Sequence, residues 1–322
     1  MHSKTIHAAA GILFMLTGYS SASAVENTEG LALPAACASI AAASLLSHVS
    51  PDVGFEATRF RVRLPSNGRS ATPGLEADRL RVISHAAGTS NAALEQAASA
   101  SAAALLIALT GNGHSDCPAE LLQRTGTPIV AGLQHGGNYL ATWQGLTLRG
   151  GAGHVVATRM QLRLEAAGAA GEDRLVHMTL TLDGITGTLT PPTLLPDHIL
   201  LRVTLPAASL PTLLAATAGG APDAQIPVTV DDISLRSGRM VLHGHGDAIA
   251  TATPMDSTAH LHLSALNFDD LVNRAALQDL VRMHTALFLS RLVSRQEADA
   301  IAWDVSFSDG LLAVNNVPIP LR

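Results

Sequence analysis

The chain has 322 residues, with 20 lysines and arginines against 26 aspartates and glutamates and a formal net charge of −6. That balance argues against nucleic-acid binding, which feeds on clustered positive charge. Hydrophobic residues make up 47%, enough for a substantial core, while aromatic residues at 3% argue against a sugar site built from stacked rings.

The first element in chain order is an address. Residues 2–7 surround Lys4, the only lysine in the chain, and an apolar run over residues 8–19 leads to Ala22-Ser23-Ala24. A basic start, a short apolar core and an A-x-A exit form a secretory signal peptide, with cleavage expected before Val25 and a periplasmic mature chain. The run is shorter than the ~20 residues a membrane span needs, and no later stretch supplies one, so no integral span is expected after cleavage. The expected organisation is residues 1–24 as signal, 25–127 as an N-terminal α/β block and 128–322 as a β-rich block.

Export bears on Cys37 and Cys117, the two cysteines. In an oxidising compartment an even pair reads as one disulfide, closing a loop of about eighty residues and worth roughly 4 kcal/mol in the chain-entropy model. The alternatives are two buried thiols or a lipid on Cys37. Against the lipid, residues 31–36 lack a leucine three places before the cysteine, and Glu26 and Glu29 interrupt the apolar segment.

Residues 55–85 alternate in polarity through Phe55, Ala57, Phe60, Val62 and Leu64, then Leu80 and Val82, with a turn at Pro65-Ser66-Asn67-Gly68. This is the pattern of hairpins in a half-buried sheet. Ser90 or Asn91 caps an alanine-rich helix over residues 92–109. A second block starts near Ile129, with strands around 146–148, 155–164, 175–182 and 199–205 and a short helix over 208–218. In a third block, strands at 228–230, 233–235, 240–242 and 261–263 precede one amphipathic helix over 272–292. Its apolar stripe, including Leu277, Val281, Leu287, Phe288 and Leu292, is expected to pack on the sheet. A hairpin of 301–307 and 311–314 turns at Ser308-Asp309-Gly310. The fold class is therefore mainly β (α+β), a curved antiparallel sheet of meanders with a few covering helices. Residues 145–151 and 232–238 share a pattern that marks a degenerate repeat.

The C-terminal third carries a resemblance. Asp231-Asp232-Ile233-Ser234-Leu235, Leu266-Asn267-Phe268-Asp269-Asp270-Leu271 and the closing Ser308-Asp309-Gly310-Leu311-Leu312-Ala313-Val314-Asn315-Asn316 are similar to segments of an uncharacterised family of proteobacterial envelope proteins, and more loosely to AsmA-like proteins. Asn316 stands where that ending usually has glycine. The resemblance covers residues 228–322, and 129–205 by pattern alone. It implies a periplasmic, β-rich protein with a possible apolar groove for acyl chains, and no established functional residue is carried over.

Histidines come closest to chemistry. His243 and His245 share one strand face, as do His260 and His262. Pairing 243 opposite 262 would converge four imidazoles of the kind that suits zinc or copper. That register needs a turn centred between Ala252 and Thr253. The better turn signal, residues 253–257, makes the pairing sum even and sends the two pairs to opposite faces. Solvent-facing strand histidines are therefore expected and no metal or other cofactor, with His243 and His245 the residues at which a metal would be sought.

The loop Gly113-His114-Ser115-Asp116-Cys117 holds nucleophile, base and acid types, but neighbours in one tight loop rarely converge as a triad. Gly150-Gly151-Ala152-Gly153 lacks the Lys-Ser/Thr of a phosphate loop and reads as a hairpin turn. Asp231-Asp232 and Asp269-Asp270 fit no calcium loop and read as turn and cap chemistry. With no catalytic signature, the expected function is non-enzymatic. An apolar groove lined by residues such as Leu261, Leu263, Leu287 and Phe288 would bind a lipid or another hydrophobic molecule. The alternative is a structural envelope protein that docks on a protein partner.

Overall fold

Strand accounts for 52% of the chain in a computed structural model. The structure describes residues 31–47, 53–65, 72–86, 88–110, 117–150, 153–169, 171, 173–190, 192–217, 224–251, 254–278 and 280–320. The expected signal peptide, the turn at 66–68 and the loop residues 111–116 lie outside them. Among the described residues no helix is long and apolar enough to cross a membrane.

The N-terminal part holds β1 (Ser39–Ala41), β2 (Ser44–Ser47), β3 (Val53–Arg63), β4 (Gly74–Ser84), α1 (Asn91–Thr110) and α2 (Ala119–Gln134). The middle holds β5 (Asn138–Gly150), β6 (Gly153–Ala167), β7 (Leu175–Asp183), β8 (Thr186–Leu189), β9 (His198–Pro206) and α3 (Leu210–Thr217). Then come β10 (Gln225–Ser237), β11 (Met240–Thr251), β12 (Thr258–Leu266), α4 (Phe268–Leu277), α5 (Val281–Leu292), β13 (Arg295–Glu297), β14 (Ala300–Ser308), β15 (Leu311–Val314) and β16 (Val317–Pro320). Among the described residues sixteen strands join one open sheet, in the order β1-β3-β4-β5-β6-β7-β9-β10-β11-β12-β14-β15-β16, with β2 paired to β3, β8 to β6 and β13 to β14. Its strand pairs are antiparallel, as in β5–β6 and β10–β11.

One face of the sheet is apolar and carries the helices. Phe55, Ala57, Phe60 and Val62 of β3 and Leu75, Ala77, Leu80 and Val82 of β4 are buried there, beneath α1. Helix α1 forms where expected: Ser90 Oγ accepts the N–H of Ala93 at 3.2 Å, and Ala100 and Ala103 are fully buried. Helix α2 was not expected: the second block was placed from near Ile129, and Thr125, Gly126, Thr127 and Pro128 disfavour a helix locally. Burial of Leu122, Ile129, Val130 and Leu133 against the core overrides that local preference. The boundary expected after residue 127 therefore falls inside α2. Cys37 and Cys117 form the disulfide, which ties the start of the sheet to the start of α2.

A line of irregularities crosses the sheet. In β3 the buried positions step from Ala57 to Phe60, in β4 from Ala77 to Leu80, in β5 from Trp143 to Leu146 and in β6 from Ala157 to Met160. Each strand thus holds one extra residue at the same level, so the register on either side is unchanged. Arg59 (φ 47°), Gly145 (φ 60°) and Gly184 (φ 61°) mark the line in the left-handed region. Bulges bend strands and re-aim the side chains beside them.

The helix expected over 272–292 is two helices. Leu280 N–H bonds the Ala275 carbonyl at 2.9 Å, a helix-terminating bond, and the chain turns before α5. Most of the apolar stripe does not pack on the sheet: Leu277 is 84% exposed, Val281 71% and Leu292 66%, while Leu287 packs against a small cluster there. Helix α4 docks through Phe268 and Leu271, and Arg274 bonds the Ser237 hydroxyl and carbonyl at the end of β10. Trp303 meets Phe268 edge-on, with ring centroids 5.2 Å apart. The closing strands use left-handed turns at Asp309-Gly310 and Asn315-Asn316, where asparagine takes the conformation that glycine would.

Candidate functional site

The face opposite the helices is polar, and cross-strand pairing sorts it into rows. One row runs Arg163, Thr179, Arg202, Asp232 and, beyond a bulge in β10, continues as His245, His262 and Asp304. Here the structure corrects the expected histidine register. His245 lies directly opposite His262, His243 opposite Ser264 and His260 opposite Asp247, so all four histidines share one face. The last pair is Ile249 with Thr258, which leaves an even-numbered connection over residues 250–257. The turn residues alone suggested an odd one.

The four rings do not converge. His245 and His262 stand with ring centroids 5.5 Å apart at 47°. His262 is held instead by carboxylates: Nδ1 lies 2.9 Å from Asp304 Oδ1, and Nε2 lies 3.1 Å from Glu297 Oε2. Arg295 pairs with the other oxygen of Asp304, and Asn315 Oδ1 accepts the Asp304 N–H at 2.8 Å. The hydrogen bond to Asp304 is the main cause of a raised His262 pKa, opposed by desolvation and reinforced by Glu297. The same bond is the main cause that holds the Asp304 carboxyl below its ordinary value. With both ring nitrogens engaged, His262 ties β12, β13 and β14 together. Among the described residues no group of three or more His, Cys, Asp or Glu side chains is arranged to hold a metal ion.

The other sequence candidates take structural positions. Asp231 and Asp232 sit at the bulge within β10, where Asp231 accepts the Thr204 hydroxyl at 2.7 Å. Asp269 pairs with Arg291 of α5 at 2.9 Å, and Asp270 accepts from Arg239 Nε at 3.1 Å. Gly150 and Gly153 face each other at the β5–β6 hairpin. Of the loop 113–117, Cys117 alone is described, and it is in the disulfide.

On the apolar face, Leu261 packs against the larger hydrophobic cluster, and Leu263 and Leu287 against a smaller one around Met240, Phe268, Leu271 and Trp303. Phe288 stands apart from both and is 51% exposed. Strand β11 turns glycines toward this face: Gly244 lies opposite Leu263 and Gly246 opposite Leu261. A Cβ on Gly244 would come 2.4 Å from Leu263 Cδ2, so Leu263 leans across a strand with no side chain there. Between the helix groups, Leu162, Leu180, Leu201, Ile233 and Leu235 on successive strands are only half buried. Four of these, Leu162, Leu180, Ile233 and Leu235, were read from the sequence as strand positions, but none of the five was named for the groove.

No family model matches the chain, and no curated protein or solved structure matches it.

Proposed function

We propose that the mature chain is a non-enzymatic periplasmic protein whose helix-bearing sheet face forms an apolar groove for a lipid or another hydrophobic molecule. The observation that carries this reading is the run of half-buried leucine and isoleucine side chains between two helix groups, continuing past the glycines of β11 to Leu261 and Leu263. Each methylene moved from water onto such a surface is worth about 0.8 kcal/mol, so affinity should climb with acyl-chain length. The disulfide fits an oxidising compartment. The likeness of residues 228–322 to AsmA-like proteins points the same way by analogy.

Uptake of a fluorescent long-chain fatty acid tests the reading. Leu263→Glu and Leu201→Glu should each abolish uptake while the circular dichroism spectrum keeps its strand signature. Unchanged uptake in both folded variants would overturn it.

A second reading has its own observation. Leu277, Val281, Leu289 and Leu292 expose an apolar patch on the α4–α5 pair, as a surface for docking on an envelope protein would. A stoichiometric protein partner lost on Val281→Glu, with no bound lipid, would favour it.

A further inference from the structure

The polar face carries a depression of about 250 Å3 over β3 to β6, beside the line of bulges and on the face opposite the half-buried leucines. Its lining includes three guanidinium groups, Arg79, Arg81 and Arg159, and one carboxylate, Glu56. In a chain of net charge −6 this is a local excess of positive charge.

The carboxylates paired with these cations across the ladder are already engaged. Glu56 lies opposite Arg81 in the ladder, but its Oε1 pairs with Arg79 at 3.2 Å. Asp183 lies opposite Arg159, but its Oδ1 is bound to His198 at 2.7 Å. No ion pair among the described residues reaches Arg81 or Arg159. Between these arginines the floor holds amide and hydroxyl groups: Gln144, and Gln161 donating to Thr142 at 3.3 Å. At one end Ile83 and Leu140, paired across β4 and β5, add an apolar wall.

We infer that this depression binds a small oxyanion-bearing ligand, a carboxylate or a phosphate, held by Arg81 and Arg159 with its apolar part against Ile83 and Leu140. Guanidinium groups present forked donors that match both kinds of anion. The volume is below the ~300–1,000 Å3 of sites for drug-sized ligands, so the ligand is small. The site is independent of the proposed groove, since the two lie on opposite faces.

Calorimetric titration of the purified mature chain with inorganic phosphate, with succinate and with octanoate tests the inference. At least one probe should bind saturably at one site. Arg81→Gln and Arg159→Gln should each weaken that probe by roughly tenfold or more, as expected when a charge-assisted hydrogen bond is lost. Arg202→Gln, on the same face outside the depression, should leave binding unchanged. Preference for octanoate or succinate would identify a carboxylate ligand, and preference for phosphate a phosphorylated one. Absence of saturable binding by all three probes would overturn the inference. So would binding that survives both substitutions, or that falls equally in Arg202→Gln, which would mark diffuse attraction. Loss of acyl-chain uptake in Leu263→Glu leaves this result untouched, so the two proposals fail separately.

Discussion

His262 on β12 and Asp304 on β14 lie opposite each other in the sheet and share a 2.9 Å hydrogen bond that shifts both groups in the directions that favour an ion pair. The His262 pKa is raised above 6.5, so its contribution to stability is complete below that value and is lost as pH rises through the folded-state pKa. Asp304 is lowered from 3.8, so its contribution is present above that value and is lost as pH falls through the folded-state pKa. The difference in Tm between the native chain and His262→Gln should therefore be largest at about pH 5 to 6 and should narrow as pH rises. A difference that is flat with pH would show that the bond carries no charge linkage.

Reduction of the disulfide should have a large effect. Cys37 and Cys117 are 80 residues apart and buried. Cross-linking a loop of that length restricts the unfolded chain by roughly 4 kcal/mol. The double variant Cys37→Ser, Cys117→Ser should lose about 2–5 kcal/mol in denaturant unfolding, with a steeper loss if the buried serines find no partner.

Gly145 tests the line of bulges. Its φ of 60° disfavours any side chain, and a Cβ would lie 2.0 Å from Asp78 Oδ2. Gly145→Ala should cost about 1–3 kcal/mol, partly recovered when Asp78→Ala is added. No recovery would place the cost in the backbone alone.

An indole helps tie helix α5 to the sheet, beside the packing of Leu287. Trp303 Nε1 donates to the Ser290 carbonyl at 2.8 Å. Trp303→Phe should lower stability by about 1–2 kcal/mol and raise hydrogen exchange across residues 281–292, with α1 unchanged. Equal exchange in both helices would mean that other contacts hold α5.

Much of the sheet was legible because period-two alternation survives in strands with one buried face, as in Val176, Met178, Leu180 and Leu182. Helix α1 was legible from Ser90 and its alanines. Helix α2 was not, since the threonines, Gly126 and Pro128 argue locally for a loop and only burial decides otherwise. The α4–α5 stripe was visible, but which side of a helix meets the sheet is a tertiary fact. The histidine register turned on one residue in the connection between β11 and β12. The arginine depression was the least legible: Arg81 and Arg159 come from different hairpins and meet only through strand pairing.

Native mass spectrometry of the protein, purified without detergent, decides whether the proposed apolar groove holds a ligand. Reproducible extra mass should be seen, released on denaturation as a defined hydrophobic molecule and removed by Leu263→Glu. A bare polypeptide mass, unchanged after incubation with long-chain lipids, would contradict the groove.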